Sequence, residues 1–158
     1  MNNLCFTILM FTTMAAQAQE SNYHFSHTET TTAPAARIWQ VWTDVPNWKQ
    51  WDKGLKEAIL EGEFAIGAKG KIIPDKGPKS KFVVTELKPG ESYTFKTRIP
   101  FGWLIIRRYL THTAGITRFT HEVEFTGVLK KALGKNPGKR YRAMLPEVMR
   151  TIAALAEK

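Results

Sequence analysis

Residues 139–156 have the sequence KRYRAMLPEVMRTIAALA, and this stretch decides the fold. Its apolar side chains recur at alternating intervals of four and three residues, which is the spacing of one face of an α-helix. This face consists of Tyr141, Leu145, Val148, Ile152 and Leu155. An apolar face of this length has to be covered, so the stretch predicts a long helix packed on a large partner. Pro146 lacks a backbone N–H, which predicts a bend there or a helix start nearer Leu145.

The partner is predicted by the middle of the chain, where apolar and polar residues alternate with the period of β-strands. A first strand is predicted at Tyr23–Thr32. Short turns containing Gly or Pro separate the later segments, and connections this short make neighbouring strands antiparallel. The six later strands are predicted at Leu55–Leu60, Lys69–Ile73, Lys81–Leu87, Ser92–Ile99, Leu104–His112 and Thr117–Phe125.

Two short helical segments are predicted between the first two strands. Pro34 has a φ angle suited to a first helical turn, so Ala35–Thr43 is predicted as a helix with Ile38 and Trp42 on one side. Trp48 and Trp51 are three residues apart, which predicts one more helical turn or a tight loop. We expect these tryptophans to pack the short segments against the sheet.

This order of elements and several of its local sequences resemble one family. The sequences that carry the resemblance are residues 35–39 (AARIW), residues 42–48 (WTDVPNW) with Trp51, residues 67–70 (GAKG), and residues 84–86 (VTE) with Pro89. They resemble the START-like, or SRPBCC, superfamily and its polyketide cyclase/dehydrase and lipid-transport proteins. The resemblance implies an α+β helix-grip fold, in which a curved antiparallel sheet of about seven strands wraps around a long C-terminal helix. It also implies a cavity for lipids, sterols or polyketides between sheet and helix, but no particular reaction.

Residues 1–18 have the pattern of a secretory signal peptide. An apolar stretch from Leu4 to Met14 precedes the small-x-small sequence Ala16-Gln17-Ala18, which predicts cleavage near Ala18 and export of residues 19–158 as one ligand-binding domain. The stretch is too short for a transmembrane helix. Cys5, the only cysteine, lies in this segment, so the exported domain is expected to have no disulfide and no thiol nucleophile.

The chain is basic, with a formal net charge of +9. From Gly127 onward there are eight basic and two acidic residues. Such a region fits either an anionic membrane surface or a solvated helix face, and the two interpretations stay open. No sequence motif of nucleic-acid-binding domains is present, and no nucleic-acid partner is expected.

His121 is the candidate catalytic residue. In the strand Thr117–Phe125 the alternation places His121 on the inner face with Phe119 and Val123. An inward histidine would hydrogen-bond a ligand carbonyl or transfer a proton near neutral pH. The alternative is a core histidine that is bonded to a neighbouring strand, because buried polar atoms normally find partners.

The strand Leu104–His112 has two faces, and its sequence leaves the inner one undecided. If Ile105, Arg107, Tyr109 and Thr111 point inward, Arg107 and Tyr109 supply a cation and a phenol for an acidic or ketone-bearing ligand. The other face, which includes His112, is more apolar and consists of Leu104, Ile106, Arg108, Leu110 and His112.

These patterns give a set of candidate ligand-binding residues on the expected cavity wall. The set is Trp42, Trp51, Tyr93, Phe95, Arg107, Tyr109, Phe119, His121, Tyr141, Leu145 and Val148. The histidines lack metal-site spacing, and phosphate-loop, serine-nucleophile and dinucleotide motifs are absent, so no metal and no cofactor is expected.

Two functions are compatible with the sequence. The first is an exported carrier or binding protein for an apolar small molecule or lipid, with the basic C-terminal region at an anionic membrane surface. The second is a polyketide cyclase or dehydratase-type enzyme, in which His121 with Tyr109 or Arg107 polarises a carbonyl and moves a proton.

Overall fold

A computed structural model describes residues 20–158 of the chain, so the predicted signal peptide lies outside the described residues. The strands are β1 His24–Thr31, β2 Leu55–Glu61, β3 Lys69–Pro74, β4 Ser80–Lys88, β5 Ser92–Ile99, β6 Gly102–Thr113 and β7 Ile116–Phe125. The α-helices are α1 Ala35–Thr43, α2 Lys130–Leu133 and α3 Lys139–Ala156. A 3₁₀ segment spans Val45–Gln50, and a π-helical turn, Gly134–Gly138, joins α2 to α3.

The strands form one antiparallel sheet of seven strands in the order β1-β7-β6-β5-β4-β3-β2. Consecutive strands from β2 to β7 are neighbours, as the short turns predict, and β1 closes the far edge by pairing with β7. The two short helical segments lie between β1 and β2. This arrangement confirms the predicted α+β helix-grip fold.

Helix α3 buries its apolar face against the sheet. Leu145, Val148 and Ile152 are buried as predicted, and Met149 and Ala156 complete the buried face. The helix starts at Lys139 and runs through Pro146, so the alternative of a start nearer Leu145 is wrong. The proline is tolerated because the carbonyl it leaves without a helical partner belongs to Arg142, an exposed residue.

The core between the short helices and the sheet is built from aromatic rings. Trp48 stacks on Phe82 and on Phe95, with ring centroids 5.6 Å apart in each pair. Trp42 meets Phe119 edge-on at 5.9 Å. Side chains expected to line a cavity therefore pack on one another over the middle of the sheet. Among residues 20–158, no helix is long and apolar enough to cross a membrane.

Candidate functional site

Strand β6 turns Arg108, and not Arg107, toward the interior. Arg108 is only 2% exposed, and its neighbours on the same face, Ile106 and Leu110, are also buried. The more apolar of the two possible faces is thus the inner one, as the hydrophobic effect requires.

Arg107 and Tyr109 lie on the outer face of the sheet. The Arg107 guanidinium lies 3.0 Å from a carboxylate oxygen of Glu122 and 2.7 Å from one of Glu124. Tyr109 is exposed. The hypothesis that placed Arg107 and Tyr109 beside His121 is therefore wrong, because strand alternation puts them on the side opposite that histidine.

The Arg108 side chain is enclosed by aromatic rings. Its guanidinium carbon lies 4.8 Å from the ring centroid of Trp51 and 5.1 Å from that of Trp48. The rings of Tyr93 and Phe95 lie at 5.5 and 5.8 Å. Cation–π attraction of about 2 kcal/mol for a desolvated pair offsets part of the cost of burying this charge.

Arg108 also donates hydrogen bonds to two buried side chains. Its Nε–H donates to His121 Nδ1 over 3.4 Å, and its Nη1 donates to the hydroxyl of Tyr93. The Tyr93 hydroxyl in turn donates to the backbone oxygen of Trp42 at 3.1 Å. Burial raises the pKa of Tyr93, so this phenol stays protonated.

His121 connects Arg108 to helix α3 through two hydrogen bonds. An arginine can only donate, so Nδ1 of His121 is the acceptor and the ring proton sits on Nε2. The Nε2–H then donates to the hydroxyl of Tyr141 over 3.2 Å. Burial and the nearby Arg108 charge hold the pKa of His121 well below its usual value, which keeps the imidazole neutral. The O–H of Tyr141 is left free to donate to a further acceptor.

Donors outnumber acceptors around Arg108. Among residues 20–158, no carboxylate oxygen lies within 4.0 Å of its guanidinium nitrogens. In the same described part of the chain, the buried indole nitrogens of Trp42 and Trp51 have no hydrogen-bond partner. A buried donor without an acceptor costs free energy, so this region favours a molecule or a water that supplies oxygen atoms.

An open groove of about 420 Å³ begins at Tyr141, the last residue of the hydrogen-bonded series Arg108–His121–Tyr141. Helix α3 forms one wall, and the segment around β2 with the end of β3 forms the other. Its floor is mainly apolar and its rim carries charges of both signs, which suits an amphipathic small molecule. The lining residues are Asp52, Lys53, Gly54, Leu55, Ile72, Pro74, Asp75, Lys76, Pro137, Arg140, Tyr141, Met144 and Val148.

Asp52 brings a second titratable group to the groove. Burial raises the pKa of its carboxyl group, an effect that the backbone N–H of Gly54 and the charge of Arg108 only partly offset. The N–H of Gly54 donates to Asp52 Oδ1 over 3.1 Å and fixes the orientation of the carboxyl group. Burial, with the Asp52 charge, likewise raises the pKa of Tyr141, so a carboxyl group and a phenol, each with a raised pKa, line the same groove.

The sequence of this chain matches one family model, described as polyketide cyclase / dehydrase and lipid transport, over residues 23–157. The chain belongs to this family. The search among curated proteins gives no match.

Solved structures share the fold of this family member at low sequence identity. Protein CV1439 from Chromobacterium violaceum is 18% identical, with a TM-score of 0.64 over 86% of this chain and 98% of its own. Protein MLL2253 from Mesorhizobium loti is 14% identical, with a TM-score of 0.67 over 85% and 96%. Hypothetical protein jhp0584 from Helicobacter pylori is 11% identical, with a TM-score of 0.72 over 98% and 99%. Identities this low show the fold alone.

Only part of the predicted ligand-binding set reaches open space in this family member. Tyr141 and Val148 line the groove, and Trp51 lines an adjoining pocket of about 50 Å³. His121 lies one hydrogen bond behind Tyr141. The remaining inward members form the packed core, and they are Trp42, Tyr93, Phe95, Phe119 and Leu145.

Sequence reasoning missed Arg108, Asp52 and Met144 as site residues. For Arg108 a signal existed, because the alternation that buries Ile106 and Leu110 also buries the residue between them. Asp52 and Met144 line the same groove because α3 packs near the end of the 3₁₀ segment. No local sequence pattern predicts that packing. Among the described residues, no group of three or more His, Cys, Asp or Glu side chains is placed to hold a metal ion.

Proposed function

We propose that this protein is a binding or carrier protein for a small amphipathic molecule held in the groove beside α3. One observation carries the proposal: the apolar groove ends at Tyr141, whose hydroxyl is tied through His121 to the buried Arg108. The groove volume of about 420 Å³ falls within the range of small-molecule sites.

The hydrogen-bond directions specify the polar end of the ligand. Tyr141 accepts from His121 and therefore offers its own O–H to the groove. The partner it needs is an oxygen acceptor such as a carbonyl group. The apolar body of the ligand would lie against Leu55, Ile72 and Met144.

Binding of prodan, an apolar naphthalene fluorophore with one ketone, tests this proposal. We expect a saturable blue shift of its emission, because the groove replaces water around the ring. Met144→Glu puts a charge on the groove floor and should weaken binding at least about tenfold, given the cost of desolvating a carboxylate. Ile66→Glu, at an exposed position outside the groove, is the matched control and should bind like the wild type. Equal binding by the two variants would contradict the proposal.

The proposal includes export and contact with an anionic membrane surface. The signal-peptide pattern of residues 1–18 and the basic residues after Gly127 support this part. Cell fractionation of the full chain and of a variant without residues 2–18 tests export. The full chain should be processed and leave the cytoplasm, and the deletion variant should remain there. Unprocessed full chain in the cytoplasm would refute export.

A proton-transfer enzyme of cyclase or dehydratase type is the second candidate. The observation that favours it is Asp52, a carboxyl group with a raised pKa that opens to the same groove as the Tyr141 phenol. In this version Tyr141 polarises a carbonyl and Asp52 exchanges a proton on the neighbouring carbon. Deuterium exchange at the propionyl CH₂ of bound prodan, followed by NMR in D₂O, should be accelerated by the wild type and lost in Asp52→Asn. If the wild type does not accelerate the exchange, the enzyme candidate is wrong and only the carrier function remains.

A further inference from the structure

Four large apolar side chains are exposed together at one corner of the molecule. Phe101 is 75% exposed, Val128 is 83% exposed, and Trp103 and Leu129 are each 37% exposed. Phe101 and Trp103 come from the β5–β6 hairpin, and Val128 and Leu129 follow β7. We call these four residues the apolar corner.

Backbone contacts join the two segments of the apolar corner into one unit. The N–H of Thr126 donates to the oxygen of Trp103 over 2.8 Å, and the Thr126 hydroxyl accepts from the N–H of Trp103 over 3.1 Å. Gly127 packs so closely that a Cβ atom there would lie 1.9 Å from the oxygen of Phe101. The exposed side chains are thus presented on a fixed backbone.

Phe101 is held outward by an unusual backbone conformation. Its φ is 57°, in the left-handed region that bulky residues rarely adopt and that costs roughly 1–2 kcal/mol. Because the ring is exposed, its packing within the monomer offsets little of this cost. Strain of this kind at an exposed aromatic residue points to a partner outside the chain.

Basic side chains flank the apolar corner on the outer face of the sheet. Arg98 lies over the Trp103 ring at 4.9 Å. A groove of about 420 Å³ beside Trp103 is lined by Lys69, Lys81, Lys96 and Arg98, with Glu61 as the one carboxylate among its lining residues.

This positive charge is only partly compensated: Glu61 lies 3.9 Å from Lys71, and among residues 20–158 no carboxylate lies within 4.0 Å of the charged groups of Lys69, Lys81, Lys96 and Arg98. Lys71 and Lys81 lie directly opposite each other on β3 and β4, and like charges in that position are destabilising. On the other side of the apolar corner, Lys130 and Lys131 directly follow Leu129. Cations therefore border the exposed apolar residues on two sides.

We propose that the apolar corner docks this protein onto an anionic lipid bilayer. Phe101, Val128 and Leu129 enter the headgroup region, Trp103 lies at the interface, and the flanking cations meet lipid phosphates. A bilayer offers an apolar interior to the exposed side chains and phosphates to the flanking cations. Nucleic acid would leave the aliphatic side chains of Val128 and Leu129 without partners. The proposal places membrane contact at the β5–β6 hairpin and the start of α2, and it does not depend on ligand binding in the groove beside α3.

Vesicle co-sedimentation tests this docking surface. The wild type should bind vesicles of phosphatidylcholine and phosphatidylglycerol at 3:1 and should bind pure phosphatidylcholine vesicles at least about tenfold more weakly, since several cations each contribute. Phe101→Asp and Val128→Asp should each weaken binding to the anionic vesicles about tenfold or more. Ile66→Asp, an exposed apolar position outside the corner, should bind like the wild type. All three variants should retain prodan binding, which separates loss of docking from misfolding and from failure of the proposed function.

Three outcomes would overturn the proposal. The first is equal vesicle binding by Phe101→Asp and Ile66→Asp. The second is equal binding of anionic and zwitterionic vesicles. The third is a wild-type dimer in solution that Phe101→Asp converts to a monomer without any change in vesicle binding, because the corner would then be an interface between two copies of the chain.

Discussion

The Nε atom of Arg108 lies 3.4 Å from Nδ1 of His121, and both side chains are closed to solvent. This contact joins a permanent cation to an imidazole whose pKa is already lowered by burial. It fixes the histidine tautomer and, through Nε2, the direction of the hydrogen bond to Tyr141. The chemistry at the end of the groove is thus set by a residue two hydrogen bonds away.

Replacing Arg108 should raise the pKa of His121. Burial is the main cause of the lowered pKa, and the Arg108 charge adds to it. Arg108→Met removes the charge and leaves burial, so the pKa should rise while staying below that of an exposed histidine. An NMR titration of the imidazole protons measures this directly. Arg107→Met removes a neighbouring cation from the outer face and should leave the His121 titration unchanged; a similar shift in both variants would refute the contact.

Acidification should destabilise the protein between pH 7 and pH 5. The unfolded chain protonates His121 near pH 6.5, but the folded protein does so only at a much lower pH. The unfolded state therefore binds more protons below pH 6.5, and stability falls as pH falls, by up to about 1.4 kcal/mol per pH unit for one histidine. The raised pKa of Asp52 acts oppositely: its stabilisation is complete below pH 3.8 and is lost as pH rises through the folded-state value.

Urea unfolding at several pH values measures this dependence. His121→Gln removes the titrating group, so the slope between pH 7 and pH 5 should become smaller. His112→Gln, at an exposed position at the end of β6, is the matched control for the loss of one histidine, and the His121 variant should lose more of the slope than this control. If the His121 variant retains the full slope, the buried neutral histidine is not its source.

Gly127→Ala should destabilise the protein much more than Gly90→Ala. Both glycines have positive φ, 86° and 75°, so both substitutions carry a backbone cost of roughly 1–2 kcal/mol. At Gly127 the added Cβ would also collide with the Phe101 oxygen, whereas nothing lies within 4 Å of a Cβ at Gly90. We expect an additional loss of at least about 2 kcal/mol at Gly127, measured by urea unfolding. Equal losses of stability in the two variants would show that the β5–β6 hairpin and the segment after β7 are not closely packed at the apolar corner.

Tyr141→Phe should separate the polar from the apolar part of ligand recognition. The variant keeps the ring, which packs edge-on against Phe25 at 6.1 Å, but it loses the hydroxyl that we propose donates to the ligand. Prodan, which has a ketone, should bind about 3- to 10-fold more weakly, the worth of one hydrogen bond. A naphthalene fluorophore without the ketone should bind the variant and the wild type equally. Unchanged prodan affinity would remove Tyr141 from the polar end of the site.

The sequence was sufficient for the fold because its determinants are local. The four-and-three spacing from Tyr141 to Leu155 identifies the helix, and the short turns determine which strands are neighbours. The same alternation correctly placed His121 on the inner face. It leaves β6 undecided because one face offers Arg107 and Tyr109 to a ligand, whereas the other, with Leu104, Ile106 and Leu110, is the more apolar.

The site was less predictable because it depends on contacts between distant segments. Part of the cost of burying Arg108 is offset by Trp48 and Trp51, which lie more than fifty residues earlier in the chain and bring their rings over its guanidinium. No pattern within β6 contains that information. The groove likewise depends on how α3 packs beside Asp52, and the aromatic residues predicted to border a cavity instead fill the core.

The most direct test of the central claim is an NMR titration of the protein labelled with ¹³C at its methionine methyl groups. Met144 lines the groove, and Met149, one and a half turns further along α3, is fully buried in the core. Added prodan should shift the Met144 methyl resonance saturably, with the dissociation constant measured by fluorescence, and should move the Met149 resonance far less. Saturable fluorescence binding that leaves the Met144 resonance in place would contradict a ligand site in this groove.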